Sequence, residues 1–110
     1  MSPLGRLPYR RIRVRGPSMA PTLKDGDVVL ARNTQAPRSG DVVVVTWVTR
    51  PGQLSIKRAT TAQQEGWHVE GDNEHASTDS RELGPAQVHG VVVARLWPRP
   101  KRLYSARNSR

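Results

Sequence analysis

The chain of 110 residues contains no cysteine and no phenylalanine. Without cysteine it can form neither a disulfide framework nor a thiolate zinc site. Only 35% of its residues are hydrophobic, so the core must be built from valine, leucine, isoleucine and alanine with a few tryptophans and tyrosines. A chain of this length forms one domain, and we therefore expect a single modest core.

Long apolar runs are also missing. The longest runs, at 42–45 and 90–94, are far shorter than the roughly 20 residues that cross a bilayer. The N-terminus has basic residues but lacks the apolar centre of a signal peptide. We therefore expect a soluble, cytoplasmic protein without a transmembrane anchor, for which peripheral contact with a membrane stays open.

Negative charge is scarce, since 18 Lys and Arg face 9 Asp and Glu, a formal charge of +9. Such an excess suggests a nucleic-acid or anionic-membrane partner, although much of it lies at the two ends of the chain. The aromatic residues that a nucleic-acid platform needs are few. They are Tyr9, Trp47, Trp67, Trp97 and Tyr104. A small basic β domain that binds nucleic acid is the non-enzymatic alternative, and we do not expect a nucleic-acid partner.

No segment shows a helical period over ten residues. Alternating or β-branched runs bounded by turn residues predict short strands instead, at 9–14, 28–31, 42–48, 54–60, 67–70 and 88–96. The runs 42–48 and 54–60 predict a hairpin with a five-residue connection. The expected fold is a small, mostly-β antiparallel domain with little helix. It spans 9–97, between a flexible arm at 1–8 and a basic, disordered tail at 98–110.

Ser18 lies between Pro17 and Pro21, which stiffen the backbone on either side of it. An exposed serine on such a bend becomes a nucleophile only if a base takes its proton. A Ser-His-Asp arrangement would need a histidine oriented by a carboxylate. The candidate for it is His75, which lies beside Asp72 and Glu74.

Lysine is rare, with Lys24, Lys57 and Lys101 set against fifteen arginines. Arginine cannot lose its proton in proteins, whereas a desolvated lysine can. Lys57 lies in the middle of the predicted strand 54–60, with no carboxylate near it in sequence. It is a candidate for a depressed pKa, and the alternative is an ordinary lysine that faces solvent opposite Ile56.

Five segments, in this order, resemble the conserved boxes of the type I signal peptidases. They are Gly16–Leu23 (nucleophile box), Gly26–Leu30, Arg38–Val43, Ile56–Arg58 (general-base box) and Gly71–Arg81 (last box). The resemblance covers about residues 12 to 97. It implies the small antiparallel β domain of the signal-peptidase catalytic core, and a serine endopeptidase that uses a Ser-Lys dyad.

The resemblance also implies a role for individual residues. Ser18 attacks the scissile carbonyl, neutral Lys57 accepts its proton, and the hydroxyl of Ser77 orients the lysine amine. The backbone N–H of Ser18 forms the oxyanion hole, and the position where some members carry a second, serine donor is Gly16 here. The resemblance implies that residues of the last box support the structure of the site, namely Asp72, Asn73, Asp79 and Arg81.

The last box has a second interpretation, as a calcium loop in which Asp72, Asn73, Glu74 and Asp79 provide oxygen ligands. The glycine and glutamate that an EF-hand needs at its sixth and twelfth positions are missing. We therefore expect no metal site, and the resemblance implies no cofactor.

The substrate that the resemblance implies is a precursor protein with a small residue before the cut, and with valine and methionine side chains near Ser18 as pocket walls. The short chain without an anchor is most similar to the soluble maturation proteases of nickel superoxide dismutase, which remove an N-terminal leader. General signal peptidase-like processing of exported proteins is the alternative. Self-cleaving repressor peptidases share the dyad, but we expect no DNA-binding domain in the 17 residues before Ser18.

Overall fold

The computed structural model describes residues 4–76 and 78–103, and it shows a mostly antiparallel β domain with little helix, as expected. The strands are β1 (Tyr9–Arg13), β2 (Val28–Arg32), β3 (Val42–Trp47), β4 (Arg50–Gln63), β5 (Gly66–Glu70), β6 (Gln87–Trp97) and β7 (Lys101–Arg102). A 3-10 turn (Glu74–Ala76) and the one-turn helix α1 (Ser80–Leu83) lie between β5 and β6.

The sheet has the order β1-β2-β6-β3-β4-β5, with β7 beside β6. Every pair is antiparallel, and β6 connects the two halves because it lies between β2 and β3. The predicted hairpin exists as β3–β4, but the five-residue connection was wrong. Trp47 pairs directly with Arg50, because β4 continues through Pro51 and Gly52 where the sequence indicated a turn.

The valines of β3 are buried on both faces of the sheet. Val42 and Val44 join one cluster of buried residues, and Val43 and Val45 join a second. A strand covered on both sides is apolar throughout instead of alternating, which explains the run at 42–45. The expectation of a single core was therefore wrong, since the sheet separates two small ones.

The two ends of the chain take part in the fold more than a loose arm and a disordered tail would. Leu4 is 2% exposed and packs in the first cluster. At the other end β7 pairs with β6, and the N–H of Leu103 donates to the carbonyl of Val93 at 2.9 Å. The rest of the predicted arm and tail, 1–3 and 104–110, lies outside the described residues.

None of the helices in the described ranges is both long and apolar enough to cross a bilayer.

Candidate active site

Ser18 and Lys57 are far apart in the sequence but line the same groove, which has a volume of about 680 Å³. One wall comes from the end of β1 and the residues that follow it, with Ile12 and Val14, and the other from the first half of β4, with Leu54 and Ile56. No histidine is among the described residues that line this groove. The structure thus brings the predicted nucleophile and the predicted base together.

The loop that carries Ser18 is anchored in the first cluster of buried residues. Met19 and Leu23 are 1% and 0% exposed and belong to that cluster. The N–H of Leu23 donates to the carbonyl of Met19 at 2.9 Å, which closes a tight turn between these two anchors. Ser18 remains half-exposed at the start of the turn. The predicted role of methionine as a pocket wall was wrong for Met19, whose side chain fills the core, whereas Val14 does line the groove.

Asn73 forms hydrogen bonds with the loop that carries Ser18, which we call the serine loop (16–23). Its backbone N–H donates to the carbonyl of Ser18 at 2.9 Å, and its side-chain amide donates to the carbonyl of Pro17 at 3.1 Å. The side-chain oxygen of Asn73 accepts from the N–H of His75 at 3.2 Å, which fixes the amide orientation. Asn73 therefore holds the residues on both sides of the Pro17–Ser18 bond.

Asp72 ties the same loop to β4. It accepts a hydrogen bond from the hydroxyl of Thr22 at 2.6 Å and two from the guanidinium of Arg58, at 2.7 and 3.2 Å. Burial alone would raise the pKa of Asp72, but the hydrogen bonds from Arg58 and Thr22 hold that pKa below its ordinary value. Arg58 also donates to the carbonyl of Gly40 at 2.9 Å. The interpretation of Asp72 as a calcium ligand conflicts with this full set of partners.

Thr22 and Arg58 were missed as support residues in the sequence. Arg58 directly follows the predicted base, and Thr22 lies in the nucleophile box. Both segments were considered only for their reacting residues.

Gly16 has no free donor to offer as the second group of the oxyanion hole. Its N–H already donates to the Asp25 carboxylate at 2.7 Å, and it has no hydroxyl. Gly16 has a φ of +82°, a backbone conformation that is strained in residues with a side chain. Within the described ranges the N–H of Ser18 bonds to no other residue, so it is available to a ligand. Asp25, another residue that sequence reasoning missed, fixes the backbone that leads into Ser18.

Lys57 is 5% exposed, which overturns its interpretation as a solvent-facing lysine. Burial lowers the pKa of Lys57 from its ordinary value, because a desolvated amine disfavours its charged form. The Asp79 carboxylate acts in the opposite direction, and the positive charges of Arg50 and Arg81 reinforce the effect of burial. The net direction is downward, toward a neutral amine.

Asp79 is 1% exposed and is close enough to Lys57 to influence its charge. No carboxylate lies near Lys57 in sequence, but Asp79 lies near it in space. The Asp79 carboxylate caps α1 by accepting from the N–H of Arg81 at 3.1 Å, and it accepts from the Arg81 guanidinium at 2.8 and 3.0 Å. It also accepts from the N–H of Gly71 at 2.9 Å. Asp79 thus joins the two ends of the last box.

Ser77, the predicted partner of the lysine amine, lies outside the described residues, and its role stays a prediction.

The three histidines occupy other places. His68 contacts Glu70 at 2.7 Å on β5, and His89 contacts Thr46 at 2.8 Å between β6 and β3. Burial lowers the pKa of His89. His75 is exposed in the 3-10 turn and does not line the groove. The Ser-His-Asp alternative therefore has no support in the described part of the site.

A half-exposed hydroxyl, a buried amine with a lowered pKa and an available backbone N–H together suit nucleophilic attack on a carbonyl. The geometry favours acyl transfer, with the groove as the binding site for the acyl group.

Comparison with known proteins agrees with this chemistry. The family model described as Peptidase S24-like matches residues 8–93. The matched segment includes the serine loop, all of β4 and the last box.

Three curated relatives are mitochondrial proteins. The chain is similar to the mitochondrial ATP-independent inner membrane protease subunit 1b of Arabidopsis thaliana, with 33% identity over 76% of this chain and 67% of the relative. It is similar to the mitochondrial inner membrane protease subunit 1 of Xenopus tropicalis (30% identity) and of Homo sapiens (31%). In both cases the match covers 76% of this chain and 66% of the relative. The expected cytoplasmic location stays a prediction.

Proposed function

The chain belongs to the Peptidase S24-like family, and on that premise we propose that it is an endopeptidase that removes N-terminal leaders from precursor proteins with Ser18 and Lys57. A serine-type peptidase activity follows from the family and from the curated relatives. The observation that carries the proposed dyad is that Ser18 and the buried Lys57 line one groove.

In the proposed mechanism the Ser18 hydroxyl oxygen attacks the scissile carbonyl carbon while its proton passes to the neutral amine of Lys57. The negative charge that develops on the carbonyl oxygen receives a hydrogen bond from the Ser18 N–H. When the tetrahedral intermediate collapses, the Lys57 ammonium gives its proton to the departing amine of the peptide. Lys57 then takes a proton from the water molecule that attacks the acyl ester. It returns this proton to the Ser18 oxygen when the second tetrahedral intermediate collapses, which releases the new carboxyl terminus and restores both Ser18 and neutral Lys57.

The groove suits an extended peptide. Strand β4 pairs with β3 along one edge, whereas β5 pairs with the other edge only from Arg58 onward. Within the described strands, the edge at Leu54–Lys57 therefore has backbone groups that a substrate strand can use. The apolar side chains of Val14, Ile12 and Ile56 that line the groove favour an apolar residue before the cut. The resemblance to the signal peptidases implies that this residue is small.

Two substitutions test the dyad. We expect Ser18→Ala and Lys57→Met each to abolish cleavage of a precursor, measured by the appearance of a new N-terminus. Because burial already disfavours the Lys57 charge, Lys57→Met should not lower the melting temperature. Ser39→Ala and Lys24→Met, at exposed positions outside the groove, are the matched controls. Cleavage retained by both dyad variants would overturn the mechanism.

The substrate has two candidates. The first is the precursor of a nickel superoxide dismutase, whose leader must be removed before the new N-terminus binds nickel. The second is a general exported precursor, which the similarity to inner membrane protease subunits favours. Incubation of the wild-type chain with each precursor, with Ser18→Ala in parallel, distinguishes them. Cleavage of the exported precursor alone would exclude the dismutase assignment and leave the dyad intact.

A further inference from the structure

One face of the sheet, on the half formed by β1, β2, β6 and β7, is rich in arginine. Paired residues on neighbouring strands lie on the same face, and Arg11 pairs with Leu30, Leu30 with Ala94, and Ala94 with Arg102. Tyr9 pairs with Arg32, and Arg13 pairs with Val28, which pairs with Trp97. We call this surface the basic face, and its exposed side chains are Tyr9, Arg11, Arg13, Arg32, Trp97 and Arg102.

Charge is segregated across the molecule. None of the four strands β1, β2, β6 and β7 contains an aspartate or a glutamate. The nine carboxylates of the sequence lie in the turn at 24–27, in β5, in the 3-10 turn, in α1 or in loops. Within residues 4–76 and 78–103, the guanidinium groups of Arg11, Arg13 and Arg32 pair with no carboxylate. The positive charge of these three arginines is therefore available to an anionic partner.

The rest of the basic face is apolar and aromatic. Val28, Leu30 and Ala94 form a half-buried floor between the arginines. Tyr9 is 48% exposed and Trp97 is 60% exposed, at opposite ends of β2. Tyrosine and tryptophan are typical of the membrane–water interface, where the ring is buried and its polar edge stays hydrated. Arginine can lay its apolar stem on such a floor while its charge reaches a phosphate.

The spacing of the two aromatic rings separates a lipid partner from a nucleic acid. A single strand of nucleic acid stacks successive bases on neighbouring rings. Tyr9 and Trp97 are instead separated along β2 by roughly 13 Å, which is four strand steps, and they also lie on opposite sides of that strand, on β1 and β6. Two rings that flank a basic, apolar surface fit a plane of head groups better than a stack of bases.

We propose that the basic face binds the surface of a membrane that contains anionic phospholipids. The partner is identified by charge complementarity with the arginines and by the interfacial aromatic residues. Arg13 belongs both to this face and to the lining of the groove, so docking would place the groove at the membrane surface. The proposal does not depend on the Ser18–Lys57 chemistry.

The test is cosedimentation of the full chain with two kinds of vesicle, phosphatidylcholine alone and phosphatidylcholine mixed with phosphatidylglycerol. We expect binding to the mixed vesicles only. The double variant Arg11→Gln with Arg32→Gln removes two charges from the face without touching the groove. At about 1 kcal/mol for each arginine, it should weaken binding by roughly 30-fold.

A matched control is the double variant Arg6→Gln with Arg38→Gln, which removes the same charge from exposed positions off the face. It should bind almost as well as the wild type. Equal loss in both double variants would overturn the proposal, because binding would then depend on net charge alone. Tighter binding to a single-stranded RNA, with no binding to the mixed vesicles, would also overturn it and favour the nucleic-acid alternative.

Tryptophan fluorescence gives a second readout. Trp97 is exposed, whereas Trp47 is buried and Trp67 half-buried. Brominated phosphatidylglycerol should therefore quench the wild-type emission on binding, and this quenching should be lost in Trp97→Tyr. Quenching that persists unchanged in Trp97→Tyr would show that another surface meets the lipid.

Discussion

At the scale of single residues, the charge of Lys57 depends on a balance between burial and three neighbours. Burial lowers its pKa, Asp79 raises it, and Arg50 and Arg81 lower it. Arg81 has two effects, because it neutralises Asp79 by direct hydrogen bonds and repels the lysine charge itself. A carboxylate near the proposed base is thus tolerated because it has its own cation.

The variant Arg81→Gln tests this balance. Without the guanidinium, the Asp79 charge acts on Lys57 unopposed and the pKa of Lys57 rises. In the proposed mechanism the neutral amine is the active form, so the acid limb of kcat/KM should move to higher pH and the plateau should begin at a higher pH. The pH profile of cleavage measures the shift.

The matched control is Arg81→Lys, which keeps a positive charge beside Asp79 and should leave most of the acid limb in place. An unchanged limb in Arg81→Gln, with the fold intact by circular dichroism, would contradict the electrostatic role. A purely structural role would lower the plateau in both variants without moving the limb.

Gly16 occupies the position where some signal peptidases carry a serine as second donor to the oxyanion, so the resemblance leaves that donor unidentified. A side chain there meets no atom within 4 Å, but the φ of +82° disfavours one. We expect Gly16→Ser to lose about 1–2 kcal/mol of unfolding free energy through backbone strain, and to gain no activity from the added hydroxyl. Denaturant unfolding and kcat measure these effects.

Gly16→Ala is the control, since it introduces the same strain without a hydroxyl. A kcat for Gly16→Ser well above that of Gly16→Ala would mean that the hydroxyl does reach the oxyanion.

At the scale of elements, the last box (Gly71–Arg81) holds the serine loop in place through hydrogen bonds. Asn73 contacts the loop at Pro17 and Ser18, and Asp72 contacts it at Thr22. Asp79 joins the far end of the box to Gly71. A segment that the composition describes as a hydrophilic loop therefore positions Ser18, the proposed nucleophile.

Asn73→Ala removes the side-chain bond to the Pro17 carbonyl but keeps the backbone bond to Ser18. We expect a loss of about 1 kcal/mol in stability, and a larger relative fall in kcat than change in KM because the serine loop is less well positioned. Steady-state kinetics on a precursor peptide separate the two constants.

Asn33→Ala provides the comparison, because that side chain also donates to backbone carbonyls but lies away from the groove. It should lower stability and leave kcat unchanged. Equal effects of Asn33→Ala and Asn73→Ala on kcat would contradict a positioning role for Asn73.

The strands could be predicted because each is a β-branched or alternating run between turn residues, as at 28–31 and 42–48. Their order could not, since β6 inserts between β2 and β3 through pairings remote in sequence. The length of β4 was missed because Pro51 and Gly52 are turn residues that here continue an extended strand.

Within the site, sequence reasoning proposed Ser18, Lys57, Asp72 and Asn73 through their boxes. The structure brings the first two to one groove and the last two to the loop that carries Ser18. Sequence reasoning could not find the proximity of Asp79 to Lys57, which depends on the packing of α1 against β5, the neighbour of β4. It also missed Asp25, which looks like an ordinary turn residue.

At the scale of the whole molecule, the N-terminal segment closes the first core over β6. A Cβ added at Gly90 would lie 2.6 Å from the Leu4 side chain and 2.9 Å from the carbonyl oxygen of Arg32. Gly90 is therefore small so that Leu4 and β2 can approach β6. Leu4, expected to lie in a flexible arm, is a core residue at this contact.

A double-mutant cycle tests the contact. Leu4→Ala should cost about 2–4 kcal/mol of unfolding free energy by leaving a cavity, and Gly90→Ala about 1–3 kcal/mol by overpacking. In the double variant the alanine at 90 fills part of the space that Leu4 leaves, so the two losses should sum to more than the observed loss, by about 1 kcal/mol. The clash with the Arg32 carbonyl persists, so the alanine at 90 recovers only part of the loss.

The control is Leu7→Ala, at a residue 63% exposed, which should change the free energy of unfolding by less than about 0.5 kcal/mol. If the two losses add strictly, or if Leu4→Ala costs as little as Leu7→Ala, Leu4 does not pack against Gly90. The segment would then be the flexible arm that the sequence predicted, because a flexible segment makes no contact whose energy a double-mutant cycle can detect.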